Sequence, residues 1–167
     1  MNYFSYFNLP LKFNIKKKKI RKKYYSLQKK YHPDFYNNCS LKKKKKILKK
    51  SIYINKIYKT LKNPIKRIQY ILKLYGYDLK LISKHNRLNK NFLNKQFKYY
   101  EKLEKIKFNK NKKIKIKKFY KKIKIKLKKY KQKIEIELNK KSWKQSFYIF
   151  KKLFFLYRFK KNIKKLF

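Results

Sequence analysis

Apolar side chains recur at helical spacing in the first third of the chain. Intervals of four, three and four residues separate Ile20, Tyr24, Leu27 and Tyr31. This spacing places them along one side of an α-helix, with lysines on the other faces. Proline disfavours helical backbone at the residue before it, so this helix should end at His32-Pro33 and a loop should follow.

A second stripe with the same spacing follows this loop. Its members are Ile47, Ser51, Ile54, Tyr58 and Leu61. Ser51 is the small residue of the stripe and lets a facing helix come close. We therefore expect the two helices to pack as an antiparallel pair, with the segment HPDFYNNCS as their exposed connection.

A third helix of about twelve residues is marked at both ends. Asn63 can cap it and Pro64 suits its first position. Gly76, the only glycine of the chain, suits the left-handed residue that ends a helix. The next segment, YDLKLISKHNRLNK, has no firm periodicity and is typical of a linker.

Three further helices are predicted after the linker. Helical spacing relates Phe92, Gln96, Tyr99, Leu103 and Ile106, and later Trp143, Phe147, Phe150, Phe154 and Tyr157. Between them, KKIKIKKFYKKIKIKLKKY alternates isoleucine and lysine as a strand would, yet Ile116, Phe119, Ile123, Leu127, Tyr130 and Ile134 also form a helical stripe. Its length and lack of turn residues favour a helix. The prediction is an all-α protein with units at residues 1–76 and 89–167, joined by a linker at 77–88.

The charge of the chain is extreme. It contains 56 Lys and Arg against six Asp and Glu, a formal net charge of +50. Such charge attracts polyanions such as RNA, DNA or anionic lipid. Codon bias is the other explanation, because Lys, Asn, Ile, Phe and Tyr have A/T-rich codons and alanine is absent. A binding surface would not remove alanine, so codon bias accounts better for the composition.

Few residues are suited to metal binding or hydrolysis. The chain has one cysteine, Cys39, and two histidines, His32 and His85. We expect no disulfide framework, no metal and no cofactor of its own. No apolar run approaches the roughly 20 residues of a membrane span, and the N-terminus lacks a charged segment before its apolar residues. We expect a reducing compartment and no membrane partner.

Several segments together resemble a known family. A basic helix, the tripeptide His32-Pro33-Asp34 and a packed antiparallel helix resemble a J-domain. MNYFSYFNLP, YHPDFY, INKIYKTLKNPIKRIQYILKLYGYDL and FLNKQF followed by EKLEKI occur in the order typical of the HscB family of J-domain co-chaperones for iron-sulfur cluster assembly, bacterial type. The resemblance implies an N-terminal J-domain and a C-terminal three-helix bundle that binds an IscU-type scaffold protein.

The resemblance implies a chaperone-binding site in the first unit. In the family, the tripeptide engages a DnaK-type chaperone, here of the HscA type. Asp34 would accept a charge-assisted hydrogen bond from an arginine, Pro33 would stiffen the loop and His32 would order it. Basic residues of the preceding helix would steer the J-domain onto an acidic surface: Arg21, Lys23, Lys29 and Lys30.

The resemblance also implies a scaffold-binding surface in the second unit. Its residues are Leu93, Phe97, Glu101 and Glu104 on the first helix and Phe155 on the last. The first four can share one helix face. An alternative stays open, in which the apolar pair is core and the glutamates only pair with lysines, for example Glu101 with Lys105.

Three positions depart from the family pattern. Asn94 stands where an apolar residue is usual, and Lys98 stands where an acid is usual. Asn8 replaces a glycine in an early turn. The change to lysine means that the scaffold has compensating charges or that binding depends more on apolar contacts.

These expectations combine into one function and one alternative. The resemblance implies a non-enzymatic, cytoplasmic co-chaperone of a bacterium with a reduced, A/T-rich genome, which brings the scaffold to its chaperone and stimulates the ATPase of that chaperone. The chain has no glycine-rich loop for ATP of its own. The alternative is a basic helical nucleic-acid-binding protein with a degenerate J-like domain; the family reading implies no specific nucleic acid.

Overall fold

A computed structural model describes residues 1–79 and 90–166 of the chain. Within these ranges all regular secondary structure is helical, as predicted. Contacts divide the chain into two compact units, Met1–Leu74 and Tyr75–Phe167. The domain boundaries drawn from the sequence stay predictions, and residues 80–88 of the predicted linker lie outside the described residues.

The helices of each unit follow one another closely along the chain. The first unit contains α1 (Tyr3–Tyr6), α2 (Lys17–Tyr31), a 3₁₀ turn (Pro33–Tyr36), α3 (Leu41–Lys62) and α4 (Pro64–Leu74). The second contains α5 (Lys90–Lys107), α6 (Lys112–Asn139) and α7 (Trp143–Lys164). No helix in the described part of the chain is long and apolar enough to cross a membrane.

The predicted antiparallel pairing of α2 and α3 is confirmed. Tyr24, in the middle of α2, stacks on Tyr58, late in α3, with ring centroids 4.0 Å apart, and the Lys50 Nζ, earlier in α3, lies 4.7 Å from the centre of the Tyr31 ring at the end of α2. The Tyr24 hydroxyl donates a 2.8 Å hydrogen bond to the side-chain carbonyl of Asn55. Ser51, the small residue of the second stripe, is buried. Ile57, outside the predicted stripe, is also fully buried.

The predicted signals at the two ends of α4 are confirmed. The Asn63 side-chain oxygen accepts hydrogen bonds from the backbone N–H groups of Ile65, at 2.9 Å, and Lys66, at 3.3 Å. Gly76 has a φ of +86°, in the left-handed region, just beyond the helix. The early turn is also left-handed, with Asn8 at φ +47°. Asparagine tolerates this conformation better than most residues, so the turn forms without the usual glycine.

A buried arginine on α4, unforeseen from the sequence, ties the first unit together. Arg67 is only 4% exposed. Its Nε donates a 2.7 Å hydrogen bond to the carbonyl of Leu61, and its Nη1 donates a 2.6 Å bond to the carbonyl of Phe13. Because Leu61 lies in the last turn of α3, the cation meets the negative end of that helix. Burial lowers the pKa of Arg67 from its usual value.

The alternating segment is helix α6, as predicted. In the two runs of three alternating apolar residues, the first and third residues lie on the core face, because residues four apart share a helix side. Thus Ile123 and Leu127 are buried, whereas Ile125 between them is 57% exposed. Ile134 and Leu138 enclose Ile136 in the same way. The period of two therefore reflects extra isoleucines on the solvent face of a helix.

Helix α7 differs from its predicted stripe in the second half. Phe147 and Phe150 are buried as expected, whereas Phe154 and Tyr157 are only half-buried. The core-facing residues there are Leu153, Leu156, Phe159 and Ile163. Apolar residues occupy most positions of α7, so several stripes fit the spacing and only the packing partner selects one.

Candidate functional site

The HPD tripeptide lies on an ordered turn. Helix α2 stops at Tyr31, and His32 adopts extended backbone before the 3₁₀ turn that Pro33 begins. The predicted loop therefore contains one helical turn. The Tyr36 hydroxyl donates a 2.8 Å hydrogen bond to the carbonyl of Lys30, which ties the turn to the end of α2.

His32 and Asp34 interact within this turn. The Nδ1 atom of His32 lies 3.4 Å from both the backbone nitrogen and Oδ2 of Asp34. Nδ1 accepts from the N–H when it carries no hydrogen and donates to the carboxylate when it carries one, so this nitrogen makes one contact at a time. The Asp34 side chain is 78% exposed, which leaves its carboxylate open to a partner.

An exposed aromatic ring stands next to this carboxylate. Phe35 is 69% exposed, and its ring packs edge-to-face against His32 at 6.0 Å. Sequence reasoning did not select Phe35, although an aromatic residue directly after Pro-Asp was a visible signal. Apolar area beside a charged acceptor is a common composition for a protein-binding surface.

The four basic residues proposed on α2 do not form one surface. All four are exposed. At 3.6 residues per turn, Lys23 and Lys30 lie within about 20° of each other around the helix, and Arg21 and Lys29 within about 80°. The pairs are at least about 100° apart. A single partner surface would face one pair more directly than the other.

The residues proposed for scaffold binding on α5 do share one face. Leu93, Phe97, Glu101 and Glu104 span about 80° of the helix circumference. Leu93 is half-buried, Phe97 is 63% exposed, and both glutamates are exposed. Glu104 accepts a 2.7 Å hydrogen bond from Lys107, so its charge is partly paired within the helix.

Phe155 on α7 lies in a neighbouring aromatic cluster. Its ring contacts Phe92, Tyr99, Tyr100 and Phe159. Tyr100 links this cluster to the α5 face, because it follows Phe97 by three residues and lies 6.2 Å from the Phe155 ring. Tyr100 is 42% exposed. Sequence reasoning did not select it, although the spacing of Leu93, Phe97 and Tyr100 was an available signal.

The described residues contain no group of three or more His, Cys, Asp and Glu that could hold a metal ion. Cys39 is a free thiol and half-buried. The surfaces described above offer hydrogen bonds, charge and apolar area, which are the means of protein recognition.

Comparison with known proteins gives matches for both units. A family model described as the DnaJ domain matches residues 4–70, and one described as the HSCB C-terminal oligomerisation domain matches residues 88–164. The chain is 51% identical over 112 residues to the co-chaperone protein HscB of Buchnera aphidicola. This match covers 65% of this chain and 62% of that protein. It is 34% identical over 107 residues to an HscB homologue of Colwellia psychrerythraea, covering 64% of this chain and 61% of that one.

Solved structures extend the similarity over nearly the whole chain. The chaperone HscB from Vibrio cholerae has a TM-score of 0.87 and 25% identity, covering 99% of this chain and 97% of that one. Human co-chaperone protein HscB matches with a TM-score of 0.86 and 25% identity, and this match covers 98% of this chain and 81% of that one. With the two family models in this order, these matches show that the chain belongs to the HscB family of J-domain co-chaperones.

Proposed function

We propose that this protein holds an IscU-type iron-sulfur scaffold with its second unit and presents it to a DnaK/HscA-type chaperone. The HPD turn would stimulate ATP hydrolysis by that chaperone and so promote cluster transfer to acceptor proteins. The ATP site belongs to the chaperone, and the co-chaperone contributes binding and positioning, without a cofactor. The bacterial relatives and the single cysteine support a reducing, cytoplasmic location.

The exposed carboxylate of Asp34 carries this proposal. It is one of only six acidic residues in a chain of net charge +50, and it projects from a turn fixed by Pro33 and by the Tyr36 hydrogen bond. A preorganised turn loses little entropy on docking. A partner arginine would gain a charge-assisted hydrogen bond from the carboxylate, and an amide in its place would accept a weaker one.

The α5 face supports the scaffold part of the proposal. Phe97 and Tyr100 are exposed apolar anchors beside Glu101, and large aromatic side chains supply much of the energy of protein interfaces. Their exposure argues against the alternative in which Phe97 is core. The exposed lysines on α2 would speed encounter with an acidic chaperone surface without fixing the complex.

Single-turnover ATP hydrolysis by the chaperone, at physiological salt, tests the proposal. We expect stimulation by the native protein, a further increase with scaffold, and loss of stimulation in Asp34→Asn. Glu137→Gln also turns a carboxylate into an amide, at a half-buried position of α6 outside the candidate surfaces, and should keep full stimulation. Stimulation that persists in Asp34→Asn would reject the proposal and leave charge alone as the cause. Salt-sensitive RNA binding with no Asp34 dependence would then favour the nucleic-acid alternative.

A further inference from the structure

Side chains of α5, α6 and α7 form an open groove. Its cavity volume is about 440 Å³, within the range of ligand-binding clefts. All lining residues lie in the second unit. They are Phe92, Lys95, Gln96, Lys98, Tyr99, Lys102, Phe119, Lys122, Ile123, Lys126, Tyr130, Lys152, Phe155 and Leu156.

The floor of the groove is apolar and mostly aromatic. The Tyr99 ring lies 6.3 Å from Phe119 and 5.7 Å from Phe155. Ile123 and Leu156 are buried beneath them. These side chains already pack against one another, so the floor is a formed surface that an apolar side chain can cover with little rearrangement.

The rim is cationic. Six of the lining residues are lysines and none is acidic. Two of the lysines are fixed against the floor: Lys126 donates a 2.9 Å hydrogen bond to the Tyr99 hydroxyl, and the Lys102 Nζ lies 5.8 Å from the centre of the Phe119 ring. Outside the groove, the pKa of Tyr148 is lowered, first by a hydrogen bond with Lys152 and by the charge of Lys152. The charges of Lys95 and Lys151 lower it further. The potential at this side of the unit is therefore positive.

The groove lies on a different flank of α5 from the proposed scaffold-binding face. Lys95, Lys98 and Lys102 fall within about 60° of one another around the helix, well away from the arc that carries Leu93 and Phe97. Phe155 contributes to both regions. Because the lining lysines differ from the residues of the scaffold-binding face, each region can be altered separately.

We propose that this groove binds an acidic segment of a partner protein, in which an apolar side chain covers the aromatic floor and carboxylates on either side meet the lysine rim. Charge complementarity and the shape of the floor support this occupant. The proposal does not depend on the proposed co-chaperone function. A nucleic acid fits less well, because Tyr99 packs edge-to-face against Phe155 and the Lys102 and Lys126 ammonium groups lie over Phe119 and Tyr99, which hinders base stacking.

Fluorescence anisotropy of the full chain at physiological salt provides the test. The probe is a short labelled peptide that alternates glutamate and leucine, compared with the same peptide carrying serine for leucine and with oligothymidylate of equal charge. The groove variant is Lys122→Gln with Lys126→Gln. The matched control, Lys117→Gln with Lys128→Gln, removes equal charge from exposed positions on another side of α6.

The groove variant should weaken binding of the leucine peptide by about fivefold, and the control variant should weaken it by less than about twofold. Both variants remove two of many positive charges, but only the groove variant changes the lysine rim. The serine peptide should bind more weakly to the native protein than the leucine peptide. Lys102→Gln on α5 repeats the test independently, and circular dichroism checks folding of each variant. Equal effects of both pairs, equal binding of both peptides, or the same groove dependence for oligothymidylate would overturn the proposal.

Discussion

The two units present their candidate partner-binding residues in different ways. In the first, His32, Pro33 and Asp34 follow one another on a single turn. In the second, the candidates are spread over α5 and α7, and Phe155 contacts the α5 face through Tyr100. The first arrangement can be recognised in the sequence as a string, whereas the second exists only after helices pack.

This difference has a consequence for sensitivity to mutation. In a contiguous motif on a fixed turn, the effect on the partner depends mainly on one carboxylate. A surface distributed over a helix face divides its binding energy among several side chains, of which a few anchors dominate. We therefore expect single substitutions to be decisive at the turn and graded in the second unit.

The largest stability effect should come from Arg67→Met in the first unit. It leaves the buried carbonyls of Leu61 and Phe13 without their donor and should lower the free energy of unfolding by about 3 kcal/mol. Urea denaturation followed by far-UV circular dichroism measures this. Trp143, the only tryptophan, stacks on Tyr75 in the second unit, so its fluorescence transition should shift less. An unchanged circular dichroism midpoint would contradict the role assigned to Arg67.

The next largest effect concerns the distributed surface. Phe97→Ser should weaken scaffold binding by about tenfold and leave the urea midpoint unchanged, because the ring is already 63% exposed. Phe108→Ser, at an 89% exposed ring after α5, is the matched control and should bind normally. Isothermal titration calorimetry with the scaffold gives both values. Equal losses in the two variants would mean that the α5 face is not the site.

A smaller, stabilising change is expected within the core of the second unit. Ser146 is fully buried, and its hydroxyl has no hydrogen-bond partner among the residues that the structure describes. Ser146→Ala should raise the free energy of unfolding by about 1 kcal/mol, since it removes an unsatisfied polar group and alanine favours the helix. The Trp143 fluorescence transition in urea measures it. A lower midpoint would show that the hydroxyl is satisfied in solution.

The smallest expected effect is at the turn between α6 and α7. Lys141 has a φ of +56°, and Ser142 donates its N–H to the carbonyl of Glu137 at 3.0 Å, as in a glycine-ended helix. Lys141→Gly should stabilise the second unit by about 0.5 kcal/mol. The relief of backbone strain at the left-handed residue exceeds the cost of the greater conformational entropy that glycine gives the unfolded chain. Lys140→Gly, at a right-handed residue, should destabilise it and serves as the contrast.

The sequence predicted the helices better than the contacts between them. Spacing alone located α2 and α3, length and the lack of turn residues decided that α6 is a helix, and Asn63, Pro64 and Gly76 marked the ends of α4. It did not predict Arg67 as a buried cation, since an arginine on a helix is usually exposed. Nor did spacing select the packed stripe of α7, where apolar residues occupy more than half of the positions.

The sequence by itself determined those structural features that depend only on residues a few positions apart along the chain. The helical stripes, the stop at Pro33 and the left-handed Gly76 follow from local sterics and backbone hydrogen bonding. Only the tertiary structure decided which apolar residues stay in solvent, where Tyr100 meets Phe155, and that lysines from three helices surround one aromatic floor. These features depend on contacts between distant parts of the chain, which a composition dominated by lysine and isoleucine leaves undetermined.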